Sequence, residues 1–178
     1  MDDLRDGELL WRERMSVSTL VLGGLGVVFG ILVAGVGATQ SAPLYVVVGG
    51  LLVWFALVGS LLPVLEARSS GIYVRNVLHE AWVPWSAVVA VVPKARVNVI
   101  LDGGAFVGVW AVQPGGGRLL GGRSRVDVVV ERLTESWPRE RGQTAHPPVV
   151  RRLARGPLVA GAVLLVVVVA ALVLTVAA

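Results

Sequence analysis

Charged residues are missing from Met15 to Leu65, a run of 51 residues, and again from Gly156 to Ala178, a run of 23. As one helix the first run would be about 76 Å long at 1.5 Å per residue, against a bilayer core of about 30 Å. Two crossings are therefore predicted, over 16–37 and 44–65, with a cytoplasmic leader over 1–15. The break falls at Ala38-Thr39-Gln40-Ser41-Ala42-Pro43, a small, polar, proline-ended run suited to a tight loop. A third transmembrane helix is predicted over 157–178. The thirteen Leu and Val residues of Pro157–Val176 favour insertion by roughly 4–8 kcal/mol. The first run is read as a span, not a cleaved signal peptide, because it exceeds an h-region in length and follows a net acidic leader.

Within the first span, Gly26, Gly30, Ala34 and Ala38 recur every four residues and make a ridge of small side chains. Such a ridge lets a second helix approach closely, and packing drives helix association in lipid. Its partner is either the second span, through Ala56 and Ser60, or another molecule.

Between the apolar runs the pattern changes. Ile72–Val77, Trp82–Val83, Ala87–Val92, Arg96–Leu101 and Ala105–Val112 are short runs of Val, Ile and aromatics. They are separated at His79-Glu80, Pro84, Pro93-Lys94 and Asp102-Gly103-Gly104. Strands at this spacing predict a small antiparallel sheet or barrel. The clearest hairpin joins Val97–Leu101 to Ala105–Trp110, since an Asp-Gly pair supplies positive φ. A glycine-rich connection over Pro114–Arg123 follows, with one brief strand at Arg118–Leu120. Ser124 then stands as an N-cap with Asp127 three residues on, the form of a capping box. Val126, Val129, Val130, Leu133 and Trp137 share one helical face. The helix is predicted to end before Pro138 and to lie against the sheet, and 138–156 reads as a basic linker.

Composition narrows the function classes. Hydrophobic residues make up 55% of the chain and charged ones 16%, against about 25% charged in ordinary globular proteins. There is no cysteine, which excludes disulfides, thiolate metal sites and cysteine nucleophiles. Residues 1–14 carry net charge −2 and residues 66–155 net +6. On a membrane chain such a basic segment reflects topology and anionic lipid, not nucleic acid. All sixteen Lys and Arg lie in 1–14 or 66–155, so the N-terminus and the 66–137 domain are predicted to be cytoplasmic. Three spans of the plasma (inner) membrane then place the C-terminus outside.

The middle of the chain resembles the bacterial PH domain. The resemblance is carried by Gly71-Ile72-Tyr73-Val74-Arg75-Asn76, then Val83-Pro84-Trp85-Ser86-Ala87-Val88, then a hairpin and a closing helix. It is nearest to the form found in small actinobacterial membrane proteins and the low-molecular-weight protein antigen group, and covers about Glu66–Trp137. It implies an α+β domain, a bent antiparallel barrel whose open end is plugged by the C-terminal helix. Two departures stand out. The turn that holds basic residues in phosphoinositide-binding PH domains here reads Val77-Leu78-His79-Glu80-Ala81, so that activity does not carry over. Five strands and a brief sixth are counted, against seven in the usual fold.

Little in the chain resembles catalytic machinery. His79 and His146 are far apart and lack ligand spacing. Gly115-Gly116-Gly117 lacks the Lys-Ser/Thr of a phosphate cradle. No Asp, Glu, Lys, Arg or His interrupts the spans. The expectation is a non-enzymatic protein with no cofactor, metal or small-molecule substrate. Trp82, Trp85 and Trp110 are expected in the sheet core with Val126, Val130, Leu133 and Trp137, whereas Trp11 and Trp54 read as membrane-helix aromatics. The candidate lipid- or partner-contact residues are basic: Arg118, Arg123 and Arg125 around the glycine loop, and Arg151, Arg152 and Arg155 before the third span. The PH-like domain is expected to dock a protein partner or anionic lipid. The alternative is a structural accessory or assembly subunit of a larger integral-membrane complex. Expected partners are membrane lipids and another integral-membrane protein or further copies of the chain.

Overall fold

The computed structural model describes residues 7–40, 42–113, 123–137 and 148–177. It contains two compact units, one of residues 1–16 and 63–153, the other of 17–62 and 154–178. The architecture is α+β, an antiparallel sheet domain together with long apolar helices.

The sheet unit is built from β1 (Leu9–Arg14), β2 (Val64–Arg68), β3 (Gly71–Arg75), β4 (His79–Pro84), β5 (Val88–Pro93), β6 (Val97–Leu101), β7 (Phe106–Val109), helix α3 (Arg125–Ser136) and β8 (Val150–Leu153). One sheet has the order β1-β2-β3-β4-β8 and the other β5-β6-β7. All pairings are antiparallel. Successive side chains on a strand point to opposite faces, and the alternation decides what is buried. Leu65, Ala67, Ile72, Val74, Ala81, Val83, Val97, Val99, Leu101, Val107 and Val109 form one core, closed by Val126, Val129 and Leu133 of α3.

Helix α3 packs on β5 and β6. Ser124 caps it, its Oγ accepting from the Val126 N–H at 3.3 Å. The accepted amide is thus one residue earlier than a capping box requires. The turn after β6 has Gly103 and Gly104 both at φ +81°, and Leu101 N–H donates to the Ala105 carbonyl at 2.8 Å. Asp-Gly-Gly thus makes the predicted turn, with two glycines in the left-handed region that side chains avoid.

Several expectations about this unit are corrected. Residues 9–14, read as leader, form the edge strand β1 paired to β2. Residues 150–153, read as linker, form the opposite edge strand β8 paired to β4. Val64 and Leu65, read as the end of the second span, open β2. His79 and Glu80, read as a break, begin β4. The brief strand at Arg118–Leu120 falls outside the described residues.

The helical unit contains α1 (Val17–Thr39), α2 (Pro43–Leu61) and α4 (Arg155–Ala177). By length and composition α1 and α2 are able to cross a membrane. They pack through small residues. A Cβ on Gly26 would lie 3.1 Å from the Ala56 Cβ, and one on Gly30 would lie 2.8 Å from the Gly49 carbonyl oxygen. Gly37 is buried in the same contact, against Tyr45 and Val46, whereas Ala38 is exposed. The ridge drifts because four residues turn an α-helix about 40° past a full revolution. After three steps Ala38 has left the interface and Gly37 has entered it. On the other side of α2, Gly161 of α4 seats against the Trp54 ring, where a Cβ would come within 2.8 Å.

Candidate functional site

Among the described residues of the sheet unit, the candidate arginines Arg123, Arg125 and Arg151 have separate partners. Arg118 lies outside the described residues. Arg123 pairs with Glu131 of α3 at 2.8 Å, both side chains well exposed. Arg125 donates to Glu13 Oε2 at 2.7 Å and to the Arg14 carbonyl, and Arg132 lies 4.0 Å from the same Glu13 carboxylate. Trp11 completes this seam. Its Nε1–H donates to Ser136 Oγ at 2.8 Å, and the Arg132 guanidinium stands 5.4 Å from its ring centre. Arg125 therefore ties α3 to β1 inside the unit, and Trp11 is a sheet residue, not a membrane-helix aromatic. Arg151 on β8 donates to the Phe106 carbonyl at 3.0 Å. Arg152 is its exposed neighbour. Arg155 opens α4 in the other unit.

The aromatics also separate. Trp85 is in the main core and donates its indole N–H to the Arg68 carbonyl at 2.8 Å. Trp82 is buried on the opposite sheet face, with Val64, Tyr73 and Val150. Trp110 is not a core residue. It is 43% exposed because Val107 and Val109 take the inward parity of β7. Val126 and Leu133 are buried as expected, while Val130 and Trp137 are half-buried against the same core.

Two constellations were not anticipated. The first is a buried carboxylate. Glu66 is fully buried on the outer face of β2. Arg12 Nε donates to its Oε1 at 2.9 Å and Arg12 Nη2 to the same oxygen at 2.5 Å. Arg68 Nη2 donates to Oε2 at 2.8 Å. Two guanidiniums thus hold one carboxylate, satisfying a charge that would otherwise be too costly to desolvate. The i, i+2 spacing of Glu66 and Arg68 on a strand was the available signal. Their partner Arg12 lies on a strand that the charge-rich leader concealed.

The second is the outer face of the β5-β6-β7 sheet. The register sets Ala90, Ile100 and Phe106 in one row and Val92, Asn98 and Gly108 in the next. Phe106 is 60% exposed. Trp110 follows on the same parity, with the Arg96 guanidinium 5.1 Å from its ring centre. Asn76 fastens the β7 edge: its Nδ2–H donates to the Gly108 carbonyl at 2.8 Å and its Oδ1 accepts from the Trp110 N–H at 2.9 Å. The carboxamide stands in for a peptide group of a missing neighbouring strand.

Among the described residues no group of three or more His, Asp or Glu is placed to hold a metal ion. Compared with family models, curated proteins and solved structures, the chain matches none.

Proposed function

We propose that this chain is a non-enzymatic, membrane-anchored PH-like module that docks a partner protein at the cytoplasmic face of the membrane. The PH-like reading is supported by seven antiparallel strands ahead of a closing helix among the described residues, with β1–β4 in one sheet and β5–β7 in the other. Its peculiarities are an eighth strand after the helix and a helical hairpin inserted between the first two strands. α4 is taken as a third span alongside α1 and α2.

The observation that carries docking is the outer face of the three-stranded sheet. Exposed Phe106 and Trp110, beside half-buried Val92 and Ile100, make an apolar and aromatic surface with Arg96 stacked at its edge. Aromatics and arginine dominate the energetics of protein interfaces. The anchor already holds the module in the bilayer, so recruitment by lipid affinity is not required of this face. The accessory-subunit reading is less well supported, because the small-residue ridge and α4 both find partners within the helical unit.

The test is purification of the full chain in mild detergent, comparing wild type with Phe106→Ser/Trp110→Ser. Each side chain is expected to contribute about 2 kcal/mol, so a partner seen with wild type in fixed stoichiometry should be lost from the double variant. It should be kept by Val128→Ser, an exposed change on α3. The same partner at unchanged stoichiometry in the double variant would sink the docking face.

Orientation is tested separately. By the positive-inside rule, a reporter active only in the cytoplasm should be silent when fused after Ala178 and active when fused ahead of Met1. The reverse pattern would overturn the topology.

A further inference from the structure

The outer face of the β5-β6-β7 sheet holds one cation in a fixed position. Arg96 stands at the turn between β5 and β6, and its carbonyl accepts from the Lys94 N–H at 3.1 Å and from Asn98 Nδ2 at 2.9 Å. Its side chain lies across β7 where Gly108 leaves room, since a Cβ there would stand 3.3 Å from the Arg96 Cδ. The guanidinium then reaches the Trp110 ring, 5.1 Å from its centre. Backbone, arm and head are thus all held before a partner arrives, which lowers the ordering cost of binding. The ring takes none of the guanidinium N–H donors in a conventional hydrogen bond. Those donors match a carboxylate through two parallel bonds.

The paired carboxylates of the sheet unit are engaged elsewhere. Glu13 pairs with Arg125, Glu66 with Arg12 and Arg68, Glu80 with Arg75, and Glu131 with Arg123. Among the described residues no carboxylate pairs with Arg96. Residues 88–109 hold one acid, Asp102, against Lys94 and Arg96. Asp102 sits in the turn at the other end of β6, about 20 Å away along the strand, where its Oδ1 accepts from the Gly103 N–H at 3.0 Å. Lys94 is exposed at the hairpin tip, and Arg151 reaches the β7 edge at the Phe106 carbonyl. Cations therefore border the exposed Phe106 and Trp110, within a 66–155 segment of net charge +6.

We propose that the partner protein of this docking face is acidic: an Asp or Glu carboxylate binds the Arg96 guanidinium, and an apolar side chain beside it covers Phe106 and Trp110. The aromatics favour a protein over a phosphate surface. A phosphate alone would leave two exposed rings uncovered, whereas an acidic residue next to an apolar one satisfies cation and rings together. The inference rests on the docking reading above and adds the chemistry of the partner to it.

The experiment uses the full chain in mild non-ionic detergent at low salt, with two dye-labelled peptides as probes. One carries two Glu-Phe repeats between serines, and the other carries Gln-Phe repeats in the same frame. A hydrogen bond to a charged group is worth about tenfold in affinity, so wild type should bind the glutamate peptide about tenfold more tightly by fluorescence polarisation. Arg96→Gln should erase that preference and Arg96→Glu should invert it. Arg123→Gln removes the same charge elsewhere and should leave the preference intact. Equal binding of the two peptides by wild type, or an unchanged preference in Arg96→Gln, would overturn the acidic partner while the apolar face stands. An equal loss in Arg123→Gln would trace the preference to net charge and overturn the site. Displacement of the glutamate peptide by phosphatidylglycerol in the micelle, but not by phosphatidylcholine, would give Arg96 to lipid phosphate and overturn the assignment to protein. Phe106→Ser/Trp110→Ser should weaken both peptides alike, and undiminished binding there defeats the docking face itself. Wild type that binds neither peptide overturns the inference, and the copurification test above then decides the docking face by itself.

Discussion

Replacing Glu66 with alanine is expected to destabilise the sheet unit by about 3 kcal/mol, among the largest single effects in the chain. The carboxylate is fully buried and both of its oxygens are held by guanidiniums, whose side chains are 35% exposed for Arg12 and 13% for Arg68. Removing it leaves two cations facing each other, one of them almost without water. Arg12 is exposed enough to turn outward, which keeps the expected cost at the lower end of the range for a broken buried pair. The site also matters for topology. Arg12 and Glu66 are 54 residues apart, on the two strands that flank the helical hairpin, so their pairing helps hold β1 to β2. Glu66→Gln keeps an acceptor and should cost less. Arg12→Leu/Glu66→Leu/Arg68→Leu should lie closer to wild type than Glu66→Ala alone, because it strands no charge. The measurement is chemical unfolding of the detergent-solubilised chain, followed by tryptophan fluorescence. A Glu66→Ala midpoint indistinguishable from wild type would show that the carboxylate is dispensable.

The strands β3 to β7 were legible because their alternating Val, Ile and aromatic residues bury one face and because Asp102-Gly103-Gly104 punctuates them. α3 was legible from Val126, Val129, Val130 and Leu133 at helical spacing. The edge strands were not. β1 reads Leu-Leu-Trp-Arg-Glu-Arg and β8 reads Val-Arg-Arg-Leu, charge-rich segments with weak intrinsic strand preference. Charged edges discourage further strand addition, so the property that hid them is one that edge strands need. Their conformation comes from pairing with β2 and β4, which no local window shows. β2 was hidden for the opposite reason. Val64 and Leu65 continue the apolar texture of α2, and only Pro63, which cannot extend a helix, marks the division.

The surroundings of Arg125 were hidden by the same long-range blindness. Arg125 looked like a loop cation until Glu13, 112 residues earlier, was brought to 2.7 Å. Trp110 failed on parity: an aromatic after Val107 and Val109 must face outward, and counting it as core by residue type ignored that alternation. The same parity, applied across the register, assembles the apolar outer face of the β5-β6-β7 sheet. It is not visible along the sequence, because it draws on three strands.

In the helical unit, Gly49→Ala is expected to destabilise the α1–α2 hairpin by about 3 kcal/mol, the upper end of the usual cost of overpacking. A methyl there would press on the Gly30 carbonyl oxygen and come within 2.6 Å of the Ala34 nitrogen and 2.8 Å of the Ala34 Cβ. Two of those neighbours are backbone atoms, so no rotamer change can relieve the contact; the helices must move apart. Separation loses dispersion contacts along the whole interface, which is the main source of helix association in lipid. Gly24→Ala is the matched control. It adds the same methyl to α1 where nothing lies within 4 Å, and alanine is the better helix former by about 1 kcal/mol in a helix interior. Thermal denaturation of the full chain in one detergent should therefore place Gly49→Ala well below wild type and Gly24→Ala at or slightly above it. Equal shifts in both variants would mean that glycine content, rather than close approach at Gly30 and Gly49, governs the hairpin.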